Sequence, residues 1–193
     1  MDYCLKLPKK WNYTEYLKRF KKSDTIAVNG GYDMKRIMFV CHGNICRSPM
    51  AEFIFTELVR RRGLDMELCA ESSATSTEEI FGGVGNPIYP PAEAELKRQG
   101  IPYSPRRAVQ LKREDLDRCD LFVGMDSANI RNINRILGEG ANGKVYKLLN
   151  FTPRGGDVAD PWYSDRFDIA YRDIYEGCEA LLEYLTTKAD KKA

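Results

Sequence analysis

Ile37-Met38-Phe39-Val40, followed at once by Cys41-His42-Gly43-Asn44-Ile45-Cys46-Arg47-Ser48-Pro49, is the stretch that decides the fold. The four apolar residues run without polar alternation, the pattern of a strand buried on both faces in a parallel sheet. Ser48 and Pro49 then open a segment whose apolar residues, Met50, Phe53, Ile54, Leu58 and Val59, recur at helical spacing, with the serine placed as a cap and the proline in the first turn. Gly63 stops it. Strand, short loop and helix in that order begin a βαβ unit.

Downstream the same alternation continues. A second strand is predicted over 66–70, and a Gly/Pro/Ser-rich stretch over 74–90 reads as an irregular loop. Pro90-Pro91 starts a short helix that ends at Gly100, and 112–119 suits another. A third strand over 121–123, a helix over Ser127–Leu137, a fourth strand over 145–149 and a long amphipathic helix over 167–185 complete the pattern. The expected fold is α/β, a three-layer sandwich around a four-stranded parallel sheet of flavodoxin or Rossmann-like topology, with Cys41–Ser48 between the first strand and first helix.

Among 193 residues, 30 are Lys or Arg and 28 are Asp or Glu, so bulk charge declares neither a nucleic-acid footprint nor a polybasic membrane surface. The basic excess sits in residues 1–33, with seven basic against four acidic side chains. This segment reads as an N-terminal extension, disordered or partly helical, ahead of one domain over 34–187 and a frayed tail over 188–193. No apolar stretch reaches the length of a membrane span or a signal peptide. The six cysteines lack metal-ligand spacing and disulfide density, which fits free thiols in the cytoplasm. A monomer is expected.

The loop itself carries chemistry. In an open parallel sheet, ligands bind beyond the carboxyl ends of the strands, where a helix amino terminus presents unpaired N–H groups to an anion. Gly43 and Asn44 tolerate left-handed backbone angles, so the loop can curl until successive amides point inward around a phosphate. Cys41 would face that helix end and a fixed guanidinium, a setting that favours a nucleophilic thiolate. Arg47 offers a planar fork for two phosphate oxygens. Ser48 is placed to donate a hydroxyl to Cys41 as well as to cap. His42 would rim the cleft or stand in solvent. Cys46 could trap an oxidised Cys41 as a disulfide, or simply pack.

Residues 40–52, Val-Cys-His-Gly-Asn-Ile-Cys-Arg-Ser-Pro-Met-Ala-Glu, resemble the phosphate loop of the low-molecular-weight protein tyrosine phosphatases. The likeness extends through Glu71-Ser72, Thr75-Ser76-Thr77, Gly100-Ile101, Gly124 to Asn129 and Asp160-Pro161-Trp162-Tyr163, covering roughly 35–187. It implies a cofactor-free, metal-independent enzyme that forms a phosphocysteine on Cys41 while hydrolysing phosphotyrosine in protein substrates. Asp160 would be the general acid and then base, Ser72 and Asp126 would buttress the loop, with Ser72 hydrogen-bonding near Asn44, and Trp162 and Tyr163 would flank an aromatic substrate.

Three alternatives share parts of this pattern. Arsenate reductases need resolving cysteines around the third strand, where Gly124-Met125-Asp126 stands, and Cys119 has no nearby partner. The arginine phosphatase branch has Thr at the position of Ile45 and Asp-Pro-Phe at the acid. A non-catalytic phosphate-binding or thiol-redox module would not require a nucleophile and an acid together.

Overall fold

The structure, a computed structural model, describes the backbone of residues 34–190 and the side chains of 34–187. The expected basic extension at 1–33 and the last three residues of the expected tail lie outside the described residues. In chain order the elements are β1 (Lys35–Cys41), α1 (Arg47–Arg61), β2 (Leu68–Ala74), β3 (Ile80–Phe81), β4 (Val84–Gly85), α2 (Pro90–Arg98), β5 (Leu121–Gly124), α3 (Ser127–Leu137), β6 (Val145–Lys147), α4 (Pro161–Ser164) and α5 (Phe167–Asp190), with 3₁₀ turns over 113–117, 138–141 and 148–151.

Four strands pair in parallel in the order β2-β1-β5-β6. Burial explains why β1 lacks polar alternation. Ile37, Phe39 and Cys41 belong to a core shared with α1 and α5, while Met38 and Val40 belong to a second core with Ile133 and Leu137 of α3. β5 splits likewise, with Leu121 and Val123 on the first side and Phe122 on the second. Each such side chain, fully removed from water, contributes roughly 1.5–3 kcal/mol.

The expected three-layer parallel sandwich is therefore present, with several boundaries moved. The second strand starts at Leu68, because Met66 lies in a turn with 78% of its surface exposed, and it runs on through Glu71, Ser72 and Ser73 to Ala74. The fourth strand ends at Lys147, and the expected helix over 112–119 is a 3₁₀ turn over 113–117. The stretch read as irregular holds a small antiparallel hairpin, β3 with β4, turning through Gly82 and Gly83 at φ of 57° and 80°. The last helix continues to Asp190, into the segment expected to fray.

Glycine decides one close approach in the core. A Cβ on Gly177 of α5 would stand 2.5 Å from Leu148 Cγ, so only glycine lets the helix seat on the 148–151 turn. Among the described residues no helix is long and apolar enough to cross a membrane.

The topology sets the position of the site. β1 has β2 on one side and β5 on the other, so successive connections leave it toward opposite faces and open a crevice at its carboxyl end. Cys41 is the last residue of β1 and Arg47 the first of α1.

Candidate active site

The loop from Cys41 to Ser48 is shaped by Asn44. Its backbone is left-handed, at φ 57°, a conformation asparagine tolerates better than most side chains. Its buried amide is fully used. Nδ2 donates to Ser48 Oγ at 2.9 Å and to Ser72 Oγ at 2.8 Å, while Oδ1 accepts from the Val109 N–H at 3.0 Å and from Arg106 at 3.2 Å. Gly43, also expected to be left-handed, has no positive φ. Its requirement is room, since a Cβ there would stand 2.8 Å from Glu79 Cγ.

Cys41 Sγ lies 3.0 Å from Ser48 Oγ and 3.3 Å from the Asn44 N–H. Ser48 Oγ accepts a bond from Asn44, and its hydroxyl proton has two acceptors in reach, the Cys41 sulfur at 3.0 Å and the Ser73 carbonyl at 3.4 Å, of which the sulfur is the nearer. Ser48 does not cap the helix as expected. Arg47 is the first helical residue, and Ser48 sits one position inside the first turn with its side chain turned toward Cys41.

Arg47 is buried and holds two acids at once. Nη1 donates to Asp126 Oδ2 at 2.8 Å and Nη2 to Asp160 Oδ2 at 2.6 Å. Burial alone would disfavour its charge, but the Cys41 sulfur, Asp160 and Asp126 together hold the guanidinium pKa above its ordinary value. Both acids are themselves fixed by helix starts. Asp126 caps α3 by accepting from the Asn129 N–H, and Asp160 caps α4 by accepting from the Trp162 N–H, with Pro161 at the first helical position.

Behind the loop, Ser72 Oγ accepts from Asn44 and from Arg106 Nη1 and donates to Glu52 Oε2, and Arg106 also pairs with Glu52. Burial pushes the Arg106 guanidinium pKa down, a sign that its charge is kept there at a cost. Arg106 and Glu52 were not singled out from sequence. Their only signal was position, Glu52 inside the loop-helix motif and Arg106 in the pair Arg106-Arg107.

The rim is mixed. His42 is half exposed and its Nε2 lies 2.8 Å from Glu78 Oε2. Ile45 is buried, and its carbonyl accepts from the Tyr89 N–H at 2.9 Å. The Tyr89 ring packs against Trp162, centroids 5.3 Å apart, which makes Tyr89 a third unpredicted residue beside the loop. Trp162 keeps 55% of its surface exposed and Tyr163 88%. Cys46 packs into the core, and burial, with the nearby Cys41, pushes its thiol up to about 12, so it stays protonated at neutral pH. It is a free thiol, as are Cys41, Cys69, Cys119 and Cys178.

Comparison with known proteins agrees with this geometry. A family model described as "Low molecular weight phosphotyrosine protein phosphatase" matches residues 36–192. The low molecular weight protein-tyrosine-phosphatase YfkJ of Bacillus subtilis is 36% identical over 153 residues, 77% of this chain and 94% of its own length. Its crystal structure superposes with a TM-score of 0.76 over 83% of this chain and 99% of its own, at 33% identity. The low molecular weight protein tyrosine phosphatase SP-PTP of Streptococcus pyogenes gives a TM-score of 0.69 at 36% identity, over 79% and 93% of the two chains. With the match spanning the whole described domain, this chain belongs to the low molecular weight phosphotyrosine protein phosphatase family.

Proposed function

We propose that the chain hydrolyses phosphotyrosine in protein substrates through a phosphocysteine on Cys41. The observation that carries this reading is the double hydrogen bonding of Cys41 Sγ, by Ser48 and the Asn44 N–H, beside an arginine that faces Asp160. Donors aimed at sulfur favour a thiolate over a thiol, and a thiolate attacks phosphorus at neutral pH.

In the first step the phosphoryl group lies in the cradle of loop amides, with Arg47 gathering its equatorial oxygens as charge redistributes. The S–P bond forms as the bond from phosphorus to the phenolic oxygen breaks, and the Asp160 carboxyl gives its proton to that oxygen. In the second step Asp160 takes a proton from water, the water oxygen bonds to phosphorus, and Cys41 leaves as a thiolate met by the Ser48 hydroxyl.

Asp126 holds Arg47, and Ser72 with Asn44 holds the loop. The loop residues His42, Gly43, Ile45 and Cys46 complete the cradle, and Trp162, Tyr163 and Tyr89 offer aromatic surface to a phenyl ring. Ile45 and the Trp162-Tyr163 pair favour phosphotyrosine over phosphoarginine. Every group needed comes from one chain, which supports a monomer, and a working thiolate requires a reducing compartment, which supports the cytoplasm. Residues 34–187 form the catalytic domain in this reading, with 1–33 as its basic extension.

The test is steady-state hydrolysis of a phosphotyrosine peptide beside phosphoserine and phosphoarginine substrates, with EDTA present. Turnover that prefers phosphotyrosine, disappears with Cys41→Ser and falls by ~10²–10⁴-fold with Asp160→Asn supports the assignment. Wild type that binds phosphate but releases none from any ester refutes it.

A further inference from the structure

The segment that delivers Asp160 is tied down at both ends by one carboxylate. Asp173 projects from α5 and is largely buried. Its Oδ2 accepts at 3.0 Å from the N–H of Ala159, the residue before Asp160, and its Oδ1 accepts from Arg154 Nη2 at 2.6 Å. Arg154 is fixed from its other side, with Nε donating to Glu176 Oε2 at 2.9 Å.

Between Arg154 and Ala159 the chain passes through Gly155 and Gly156, at φ of 60° and 92°. Paired glycines give a segment wide conformational freedom, so its shape must be set by contacts. Further contacts are available near the middle. Lys147 Nζ and Ser127 Oγ hold Asp157, and the Val158 N–H donates to the Met125 carbonyl at 2.9 Å. The Asp173 bond holds the Val158–Ala159 peptide, one unit before the peptide that enters Asp160, and it does so from a helix that packs on the core.

We propose that Asp173, braced by Arg154, is a positioning residue for the general acid. It holds the Val158–Ala159 peptide, and with it the direction in which the chain enters Asp160 and presents its carboxyl to the leaving-group oxygen. This rests on the reading of Asp160 as proton donor. The bonds of Asp173 go to the Ala159 N–H and Arg154, not to Cys41, Arg47 or the phosphate loop, so its removal reaches them only through Asp160.

A general acid matters in proportion to how badly the leaving group needs a proton. Phenyl phosphate, with a basic phenolate, needs it, whereas 2,4-dinitrophenyl phosphate departs without it. Asp173→Ala is therefore expected to lower kcat/KM for phenyl phosphate at least ~10-fold, within the ~10²–10⁴-fold that general acid catalysis contributes. The fall for 2,4-dinitrophenyl phosphate stays within ~3-fold, because its leaving group does not draw on the acid, and competitive inhibition by inorganic phosphate does not weaken, because a displaced Asp160 only releases Arg47 for the anion. Arg154→Gln, which leaves Asp173 in place without its brace, gives the same selective loss in smaller degree and serves if Asp173→Ala does not fold.

Asp160→Asn separates the two levels of the argument. If Asp160→Asn itself spares phenyl phosphate, the general-acid reading fails and this inference with it. If Asp160→Asn is selective as expected, adding Asp173→Ala changes kcat/KM by less than ~2-fold, since a misaimed acid that is already gone costs nothing more. Parallel loss on both esters, or additive loss in the double variant, shows that Asp173 only supports the fold and overturns the proposal.

Discussion

Replacing Ser48 by alanine isolates one bond in the second half of the reaction. In the phosphocysteine the sulfur is bonded to phosphorus and accepts hydrogen bonds poorly. As it leaves it regains a full negative charge, so the Ser48 hydroxyl at 3.0 Å strengthens its interaction on the way to the transition state. A hydrogen bond to a charged group contributes about 1.5–3 kcal/mol. At about 1.36 kcal/mol for each factor of ten, its loss slows hydrolysis of the intermediate about 10- to 150-fold. The Asn44 N–H, at 3.3 Å, remains, which places the expected value at the low end, near tenfold. Stopped-flow mixing with a chromogenic aryl phosphate reads this directly. The Ser48→Ala enzyme releases one equivalent of phenol in a burst, then turns over slowly at a kcat that no longer depends on the leaving group. A kcat within about threefold of wild type and no burst, from a variant whose thermal midpoint shows it folded, would refute the role given to this hydroxyl.

Three other outcomes follow from particular contacts. Gly177→Ala drives a methyl group into Leu148 and is expected to cost about 1–3 kcal/mol by urea denaturation, with activity of the folded fraction unchanged. Trp162→Ala removes the ring that packs on Tyr89, and aromatic contacts of this kind contribute about 0.5–1.5 kcal/mol, so KM for a phosphotyrosine peptide rises roughly 2- to 12-fold while inhibition by inorganic phosphate is unaltered. Hydrogen bonds from Arg60 and Arg61 draw the Glu57 pKa from its ordinary 4.5 down to about 2. A depressed carboxylate stabilises the fold fully above its unfolded pKa and loses that contribution as pH falls through the folded value, so Glu57→Gln flattens acid unfolding between about pH 4.5 and 2.

The first strand and its loop were legible because each carries a local signal, unbroken apolarity in one case and a spaced nucleophile and arginine in the other. Asp160 lies 113 residues from Arg47, yet its Asp-Pro-aromatic setting marked it. Ser72 was placed beside Asn44 by resemblance, and the bond at 2.8 Å is there. Arg106 and Glu52 escaped notice because an arginine 62 residues from the asparagine it supports leaves no periodic trace. The second strand was misframed for a related reason. Its carboxyl end is polar, Glu71-Ser72-Ser73, because Ser72 turns to the loop and Glu71 pairs with Arg36 and Arg118, while apolar Met66 just outside the strand attracted the assignment. The hairpin of β3 and β4 did leave a signal, since paired glycines between Ile80-Phe81 and Val84 suit a two-residue turn with positive φ at both positions. Ser48 looked like a cap by sequence position alone, but the helix begins one residue earlier, at Arg47, which puts Ser48 inside the first turn.

The pairing of Arg47 with Asp160 means that the cradle carries its own tenant. Any dianion entering the loop must evict a carboxylate that is covalently tethered nearby, and a tethered group competes at high effective concentration. Free phosphate and sulfate, which offer only charge, meet that competition in full. A phosphotyrosine side chain brings in addition a ring for Trp162 and Tyr89, and so can win where small anions do not. The ion pair weakens every dianion by the same factor and so keeps small oxyanions from saturating the loop, while the ring contacts alone set the preference for the ester.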